Sequence, residues 1–450
     1  MSENEEIRSV RDDAIAREHL AKHITFAPGE SHLVLAGAGS GKTTVLLSIA
    51  ERAEQNGEKV LILAYNTAIR DEISQRITMR RGLVSNVDQV VGFCLPGYYT
   101  SIPLIELDTS DTKPLRKVGI SLGLWDEEKC PPLGTVVERL RFALAFNTIA
   151  PGDEIVRKLL AAALTGAWSS FEVRRFIALT TNAFSDWVRD NGFTVLLVDE
   201  AQDLNKAFVS LVDGVSDSAC IFFMGDFGQK IYGFNHAVEL GAAWPRPFTR
   251  VWNLYLTFRF GKSVCDYVNQ YLLGAQPTYA APGVPDTSVT FLTNSCEVEG
   301  NYVYLHRWWS DLFRSARTIA FAHPDTMLTC DGVDVAPSAQ KRIAAWKRGE
   351  GKLPRWIQEF TVHGVEKWVA KLSHVPTKEE LARKRVISLR TLHSYKGLEA
   401  GRVRVHEGLV SFPRKELERD ISNDDTNCFY VAVTRARNAL FLETISSIGR

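Results

Sequence analysis

The chain has 450 residues, 45% of them hydrophobic and 24% charged, with 53 basic and 53 acidic side chains. That length and apolar content suit two or three packed domains, and zero net charge excludes coating of nucleic acid through a global positive field, so any groove for it has to be local. Seven cysteines occur without CxxC or metal-ligand spacing, the N-terminus is acidic and polar, and no run reaches 18 apolar residues; reduced buried thiols in a cytoplasmic protein without signal peptide or membrane span are therefore expected.

In chain order, the first predicted element is an apolar strand at 32–36, followed by the loop Ala36, Gly37, Ala38, Gly39, Ser40, Gly41, Lys42, Thr43, Thr44 and an apolar helix. Strand, glycine loop and helix are the context of a phosphate cradle. The glycines let the backbone turn and aim N–H groups at phosphate oxygens, Lys42 reaches the β- and γ-phosphates, and the Thr43 hydroxyl serves Mg²⁺. A second strand is predicted at 60–65, and helices at 135–146, 153–163 and 171–187.

The strand at 195–199 ends in two adjacent acids. Beside a phosphate loop, Asp199 would hold Mg²⁺ and Glu200 would polarise the attacking water, because phosphoryl transfer needs both charge neutralisation and an oriented nucleophile. A strand at 220–224 runs into Gly225-Asp-Phe-Gly-Gln-Lys-Ile-Tyr-Gly-Phe234, and further strands are predicted at 317–322, 386–392, 403–405 and 439–443. Strands alternating with helices predict an α/β protein with doubly wound parallel sheets.

The wording DEAQD at 199–203 followed by GDFGQKIYGF at 225–234 resembles superfamily 1 helicases of the UvrD/Rep/PcrA type. Leu256-Thr-Phe-Arg-Phe-Gly261, Thr391-Leu-His-Ser-Tyr-Lys-Gly-Leu-Glu399 and Tyr430-Val-Ala-Val-Thr-Arg-Ala436 resemble the family's fourth, fifth and sixth motifs. FRFG, the Ala64-Tyr65-Asn66 stretch and Asn427 look most like the helicase core of the F-box DNA helicases and their small prokaryotic or viral relatives; an F-box itself is not expected, since the chain begins almost at the first motif.

The resemblance implies two RecA-like domains, with 1–80 and 188–255 forming the first, 81–187 a helical insertion in it, and 256–450 the second, with a short insertion around 333–384. It implies ATP and Mg²⁺ as cofactors, held between the two domains. Glu200, Gln229, Arg259 and Arg435 take catalytic roles, the two arginines and the glutamine at the γ-phosphate, while Thr43 and Asp199 serve the metal. Phe258 stacks on adenine, and Gly397 and Glu399 belong to the nucleotide contacts, Glu399 accepting from the ribose. Tyr65, Asn66, Tyr232, Phe234 and His393 are the candidate contacts to single-stranded DNA or a tailed duplex, the rings stacking on bases.

The chain departs from the family at several places. The first glutamine is Gln55, so the upstream adenine-reading glutamine is missing, and Gln89-Val-Val91 replaces a Thr-x-His strand contact. Position 234 is Phe where many relatives have Trp, and only about 130 residues separate Arg259 from Thr391, which leaves a reduced second insertion containing a basic, tryptophan-bearing run at 340–356. That run suits a duplex contact or a solvated helical hairpin. A monomeric 3′-to-5′ DNA helicase is the leading expectation. The alternative is a sensor or remodelling ATPase in a DNA repair, recombination or antiviral complex with little processive unwinding; a protein partner in a repair, replication or defence complex is a further expectation. No NKxD guanine motif and no nuclease constellation occurs.

Overall fold

The computed structural model describes residues 3–65, 67–95, 102, 104–109, 111–231, 236–271, 276–292, 297–330, 344, 368, 371–372, 374, 377–410 and 424–443. They fall into two compact units: Met1–Ala36 with Gly41–Tyr255, and Gly37–Ser40 with Leu256–Arg450.

The first unit is built on β1 (Ser31–Ala36), β2 (Val60–Ala64), β3 (Leu83–Asn86), β4 (Val195–Val198), β5 (Cys220–Gly225) and β6 (Arg250–Leu254), ordered β3-β2-β4-β5-β1-β6 and parallel throughout. Unbroken apolar runs such as Val-Leu-Ile-Leu-Ala and Val-Leu-Leu-Val form its centre because a parallel strand is buried on both faces. One face packs on α1 (Glu3–Lys22), α2 (Lys42–Gln55) and α3 (Thr67–Arg76) through Leu20, Leu46, Ile49 and Ile73. The other packs on α4 (Val87–Cys94), α8 (Phe171–Thr180), α9 (Ala183–Asp190), α10 (Lys206–Asp213) and α11 (Leu240–Ala243) through Val90, Ala178, Phe184, Val209 and Leu240.

Between α4 and α9, α5 (Lys113–Ser121), α6 (Leu133–Phe146) and α7 (Glu154–Leu164) pack with α8 on a separate core that includes Trp125, Leu140, Leu159 and Trp168. The helical insertion does not begin at 81: Leu83–Asn86 pairs with β2, and Asn86 then caps α4 by accepting the Gln89 N–H. The helix expected over 171–187 is two helices, broken where Asn182 takes a left-handed conformation with φ 58°.

In the second unit β9 (Ser288–Leu292), β10 (Tyr302–His306), β11 (Met327–Thr329), β12 (Val386–Thr391), β13 (Ala400–Val405) and β14 (Ala436–Glu443) are ordered β11-β12-β10-β13-β14-β9, again parallel. A two-stranded pair, β7 (Leu256–Thr257) and β8 (Tyr279–Ala280), flanks α12 (Lys262–Tyr271) in the chain. The segment 317–322 is helix, not strand. It completes α13 (Trp309–Ala322), whose buried Leu312, Phe313 and Ala316 recur at helical spacing, and the adjacent strand is the wholly buried Tyr-Val-Tyr-Leu-His of β10.

Helices α14 (Lys378–Arg383), α15 (Glu407–Val410) and α16 (Asp424–Val433) complete the second unit, α14 opening on a capping box between Thr377 and Glu380. Each unit is a doubly wound, RecA-like parallel sheet. Of the insertion expected around 333–384, residues 344, 368, 371–372, 374 and 377–384 are described, and the basic run at 340–356 lies outside the described residues except for 344. No helix among the described residues is long and apolar enough to cross a membrane.

Candidate nucleotide site

Strand order decides what meets in the first unit. β5 lies between β4 and β1, so the segments leaving their carboxyl ends emerge side by side at the sheet edge where open α/β folds bind ligands. After β1 the chain turns through the glycine loop, with the Ser40 N–H donating to Gly37 O at 3.2 Å, and enters α2 at Gly41. Gly39 and Gly41 sit at φ 72° and 76°, where a side chain would be strained. No side chain caps α2 and no acid occupies its first turn, so its N-terminal N–H groups face no competing carboxylate from the helix itself. Thr43 is half-buried in that turn, and Thr44 accepts from Arg76 Nη2 at 3.1 Å.

Lys42 Nζ lies 3.3 Å from Glu200 Oε1. Burial works against the lysine's charge, but Glu200, Asp226 and Asp199 outweigh it, and the ammonium is held above its ordinary value. Glu200 has φ 52°, an unusual backbone for a non-glycine residue that costs on the order of 1–2 kcal/mol. It is held there by its own N–H on Asp199 Oδ1 at 2.9 Å and by a short hydrogen bond from Gln202 Nε2 to its carboxylate. Burial, with Glu200 beside it, raises Asp199 to about 7 against the opposing pull of Lys42.

The network continues on β5. Gln202 Oε1 accepts the Asp226 N–H at 3.1 Å, and a Cβ at Gly225 would stand 2.8 Å from that same oxygen. Only glycine lets the two segments approach so closely. Asp226 caps the following turn through the Gly228 N–H and accepts from Gln229 Nε2 at 2.7 Å, which orients the buried Gln229 amide. Gln202 and Asp226 were not read as site residues from the sequence, although both stand inside motifs quoted for their neighbours.

Beside this network a cavity of about 230 Å³ opens between the helical insertion and the sheet, lined in part by Tyr65, Arg141, Arg175, Asp203 and His236. Asp88 holds Arg175 by two hydrogen bonds of 2.7 and 2.8 Å, and His236 contacts the rings of Phe142 and Phe146. Tyr65 is half-buried at this cavity. Asn66, Tyr232 and Phe234 lie outside the described residues.

In the second unit, Arg259 Nε donates to Glu399 Oε2 at 2.6 Å, and Arg437 reaches the other oxygen of Glu399 at 3.4 Å. Glu399 is thus engaged with two arginines. Arg435 is buried, donating to Val431 O, Leu398 O and Thr434 Oγ1. Phe258 is 55% exposed, Gly397 is an exposed turn residue with φ 87°, and His393 is half-buried in the turn after β12.

Fold and site together define a P-loop protein with two RecA-like units. The family model of an AAA domain matches residues 21–235, and that of the UvrD-like helicase C-terminal domain matches 368–447. Together the two matches, in this order, make the chain similar to the UvrD-like superfamily 1 helicases. No curated protein matches it. Similar solved structures are the PRRSV helicase (14% identity, 96% of this chain, 54% of that chain, TM-score 0.38) and the Arterivirus nonstructural protein 10 helicase (14%, 96%, 62%, 0.37). The latter's complex with DNA is also similar (14%, 96%, 63%, 0.38). The chain thus spans less than two thirds of the length of these solved helicases.

Proposed function

We propose that the chain hydrolyses ATP to move on single-stranded DNA in the 3′-to-5′ direction and to separate strands. The observation that carries the ATPase half is the convergence of Lys42, Asp199, Glu200 and Gln229 on three neighbouring strand ends, with the open N-terminus of α2 beside them. The α2 N–H groups and Lys42 would bind the phosphates, and Glu200, fixed by Gln202, would take the proton of the attacking water. A divalent cation fits the site: three carboxylates, Asp199, Glu200 and Asp226, act on the single ammonium of Lys42, and burial, with Glu200 beside it, raises the proton affinity of Asp199. Thr43 and Asp199 would hold Mg²⁺, which supplies charge neutralisation at the phosphates.

Gln229 would sense the γ-phosphate through an amide already oriented by Asp226. Arg259 and Arg435 would stabilise charge developing in transfer, since a planar guanidinium suits several oxygens at once. Glu399 is the residue that aims Arg259, a role added to its expected contact with ribose. Strand contact is assigned to Tyr65, whose ring borders a cavity that also carries His236, rings that suit base stacking.

Strand displacement on 3′-tailed, 5′-tailed and blunt duplexes, with the purified chain and ATP, tests this reading. Displacement confined to 3′ tails is expected. DNA-stimulated hydrolysis without displacement on any substrate would replace the motor by a sensor or remodelling ATPase.

A further inference from the structure

At the opposite end of the first sheet from the phosphate loop, three side chains of other chemistry converge. Side chains alternate along a strand, so Glu30 and His32, two residues apart, share a face. The β1/β5 register pairs Ser31 with Ile221 and His32 with Phe222, which brings Cys220 level with Glu30 on that face. One ligand atom each from Glu30, His32 and Cys220 lies within 4.8 Å of the others.

His32 is 4% exposed, and neither ring nitrogen makes a hydrogen bond among the described residues. Glu30 Oε2 stands 3.6 Å from its Nε2, longer than a hydrogen bond. Leaving buried polar atoms unmatched is costly, and such atoms in a native core call for an ion, a water or a strain. Phe222 stacks on the ring at 4.6 Å and fixes its plane. Cys220 is a buried free thiol, and the half-exposed Glu30 links the cluster to solvent. Imidazole, thiolate and carboxylate together are a borderline-soft donor set, which suits Zn²⁺ and disfavours Mg²⁺.

We infer that Glu30, His32 and Cys220 form a site for a zinc-class divalent cation, with water as the fourth ligand, which clamps the starts of β1 and β5. Zinc bonds of about 2.0–2.3 Å put tetrahedral ligands roughly 3.3–3.8 Å apart, so closure needs an inward shift of about 1 Å. Burial lowers His32, Glu30 opposes this, and Arg250 and His19 lower it further, so the ring offers a neutral lone pair. The Cys220 thiol is pushed up to about 12 by burial and then by Glu30 and Glu58, so the cation enters by displacing its proton to solvent as the metal–sulfur bond forms.

The test uses the full chain, stripped with chelator and free of nucleotide and Mg²⁺, titrated with Co²⁺ as a coloured stand-in for Zn²⁺. A thiolate-to-cobalt charge-transfer band saturating at one ion per chain, and abolished by Zn²⁺, is expected. Cys220→Ser should remove the band, while Cys94, Cys130, Cys265, Cys296, Cys330 and Cys428 remain in place. Should Cys220→Ser fail to fold by circular dichroism, Glu30→Gln, altered at a half-exposed position, should weaken Co²⁺ binding roughly tenfold or more while keeping the band's shape. No band in the parent chain, a band that survives in folded Cys220→Ser, or unchanged affinity in Glu30→Gln would each overturn the site.

Discussion

Lys42 and Glu200 form an ion pair of 3.3 Å that joins the first residue of α2 to the residue after the β4 edge acid, across 158 positions of sequence. In the proposed function each side chain has a separable task, one toward phosphate and one toward water, so the pair can be dissected. Lys42→Ala should lose both ATP binding and turnover. Glu200→Gln keeps the loop and Asp199, and should bind ATP while turnover falls by roughly 10²–10⁴, the usual worth of a positioned base. Equilibrium binding of a labelled ATP alongside single-turnover hydrolysis checks this; turnover retained in Glu200→Gln would move the base elsewhere.

Asp199 gives a pH signature. Its folded value, about 7, exceeds the ordinary 3.8, so between these values the folded chain binds a proton that the unfolded chain does not. Stability from this group therefore falls as pH rises through that window, and the cost is complete above about 7. In Mg²⁺-free buffer Asp199→Asn should melt several degrees above the parent at pH 8, with the gap closing toward pH 4, and it should have lost Mg²⁺-dependent turnover. For a unit of this size each ~1 kcal/mol is worth about 2–4 °C. A gap independent of pH would show that Asp199 is not the group titrating.

Arg435 is held by Val431 O, Leu398 O and Thr434 Oγ1, so truncation to alanine would also strip three acceptors of their donor. Arg435→Lys keeps the charge and loses the planar fork. Turnover should fall by a factor on the order of 10³ with a much smaller change in ATP affinity, because a finger arginine acts on the transition state. Thermal melting separates this from a folding defect, and an equal loss of affinity would make Arg435 a ground-state anchor.

Glu399 holds Arg259 at 2.6 Å and Arg437 at 3.4 Å. Glu399→Gln should lower turnover more than it raises the KM for ATP, since it frees the arginine without removing it. A change confined to KM would return Glu399 to the ribose contact alone.

Tyr65→Ala should raise the single-stranded DNA concentration for half-maximal ATPase stimulation roughly 5- to 150-fold, the equivalent of about 1–3 kcal/mol for one stacking ring. Basal hydrolysis should be spared, and Tyr65→Phe should behave as the parent, because the ring face and not the hydroxyl does the stacking. An unchanged DNA dependence in Tyr65→Ala would place the strand elsewhere.

The glycine loop and the acid pair at 199–200 were legible in the amino-acid order because their chemistry is local: a turn that needs glycine, a strand that ends, a helix that starts. The same holds for the buried strands at β1, β2, β4 and β5, whose unbroken apolar runs follow from being covered on both faces. What only tertiary structure decided is which of these ends meet. The order β4-β5-β1 brings Asp226 and Gln202 into the site, although neither has a spacing that marks it. The strand expected at 317–322 proved to be the end of a helix because six residues are too short a window to separate the two periods. Cys220 has no metal-like spacing in the chain, yet parallel register sets it beside Glu30 and His32. A register between strands 190 residues apart is fixed by packing across the whole sheet, and no local pattern carries it.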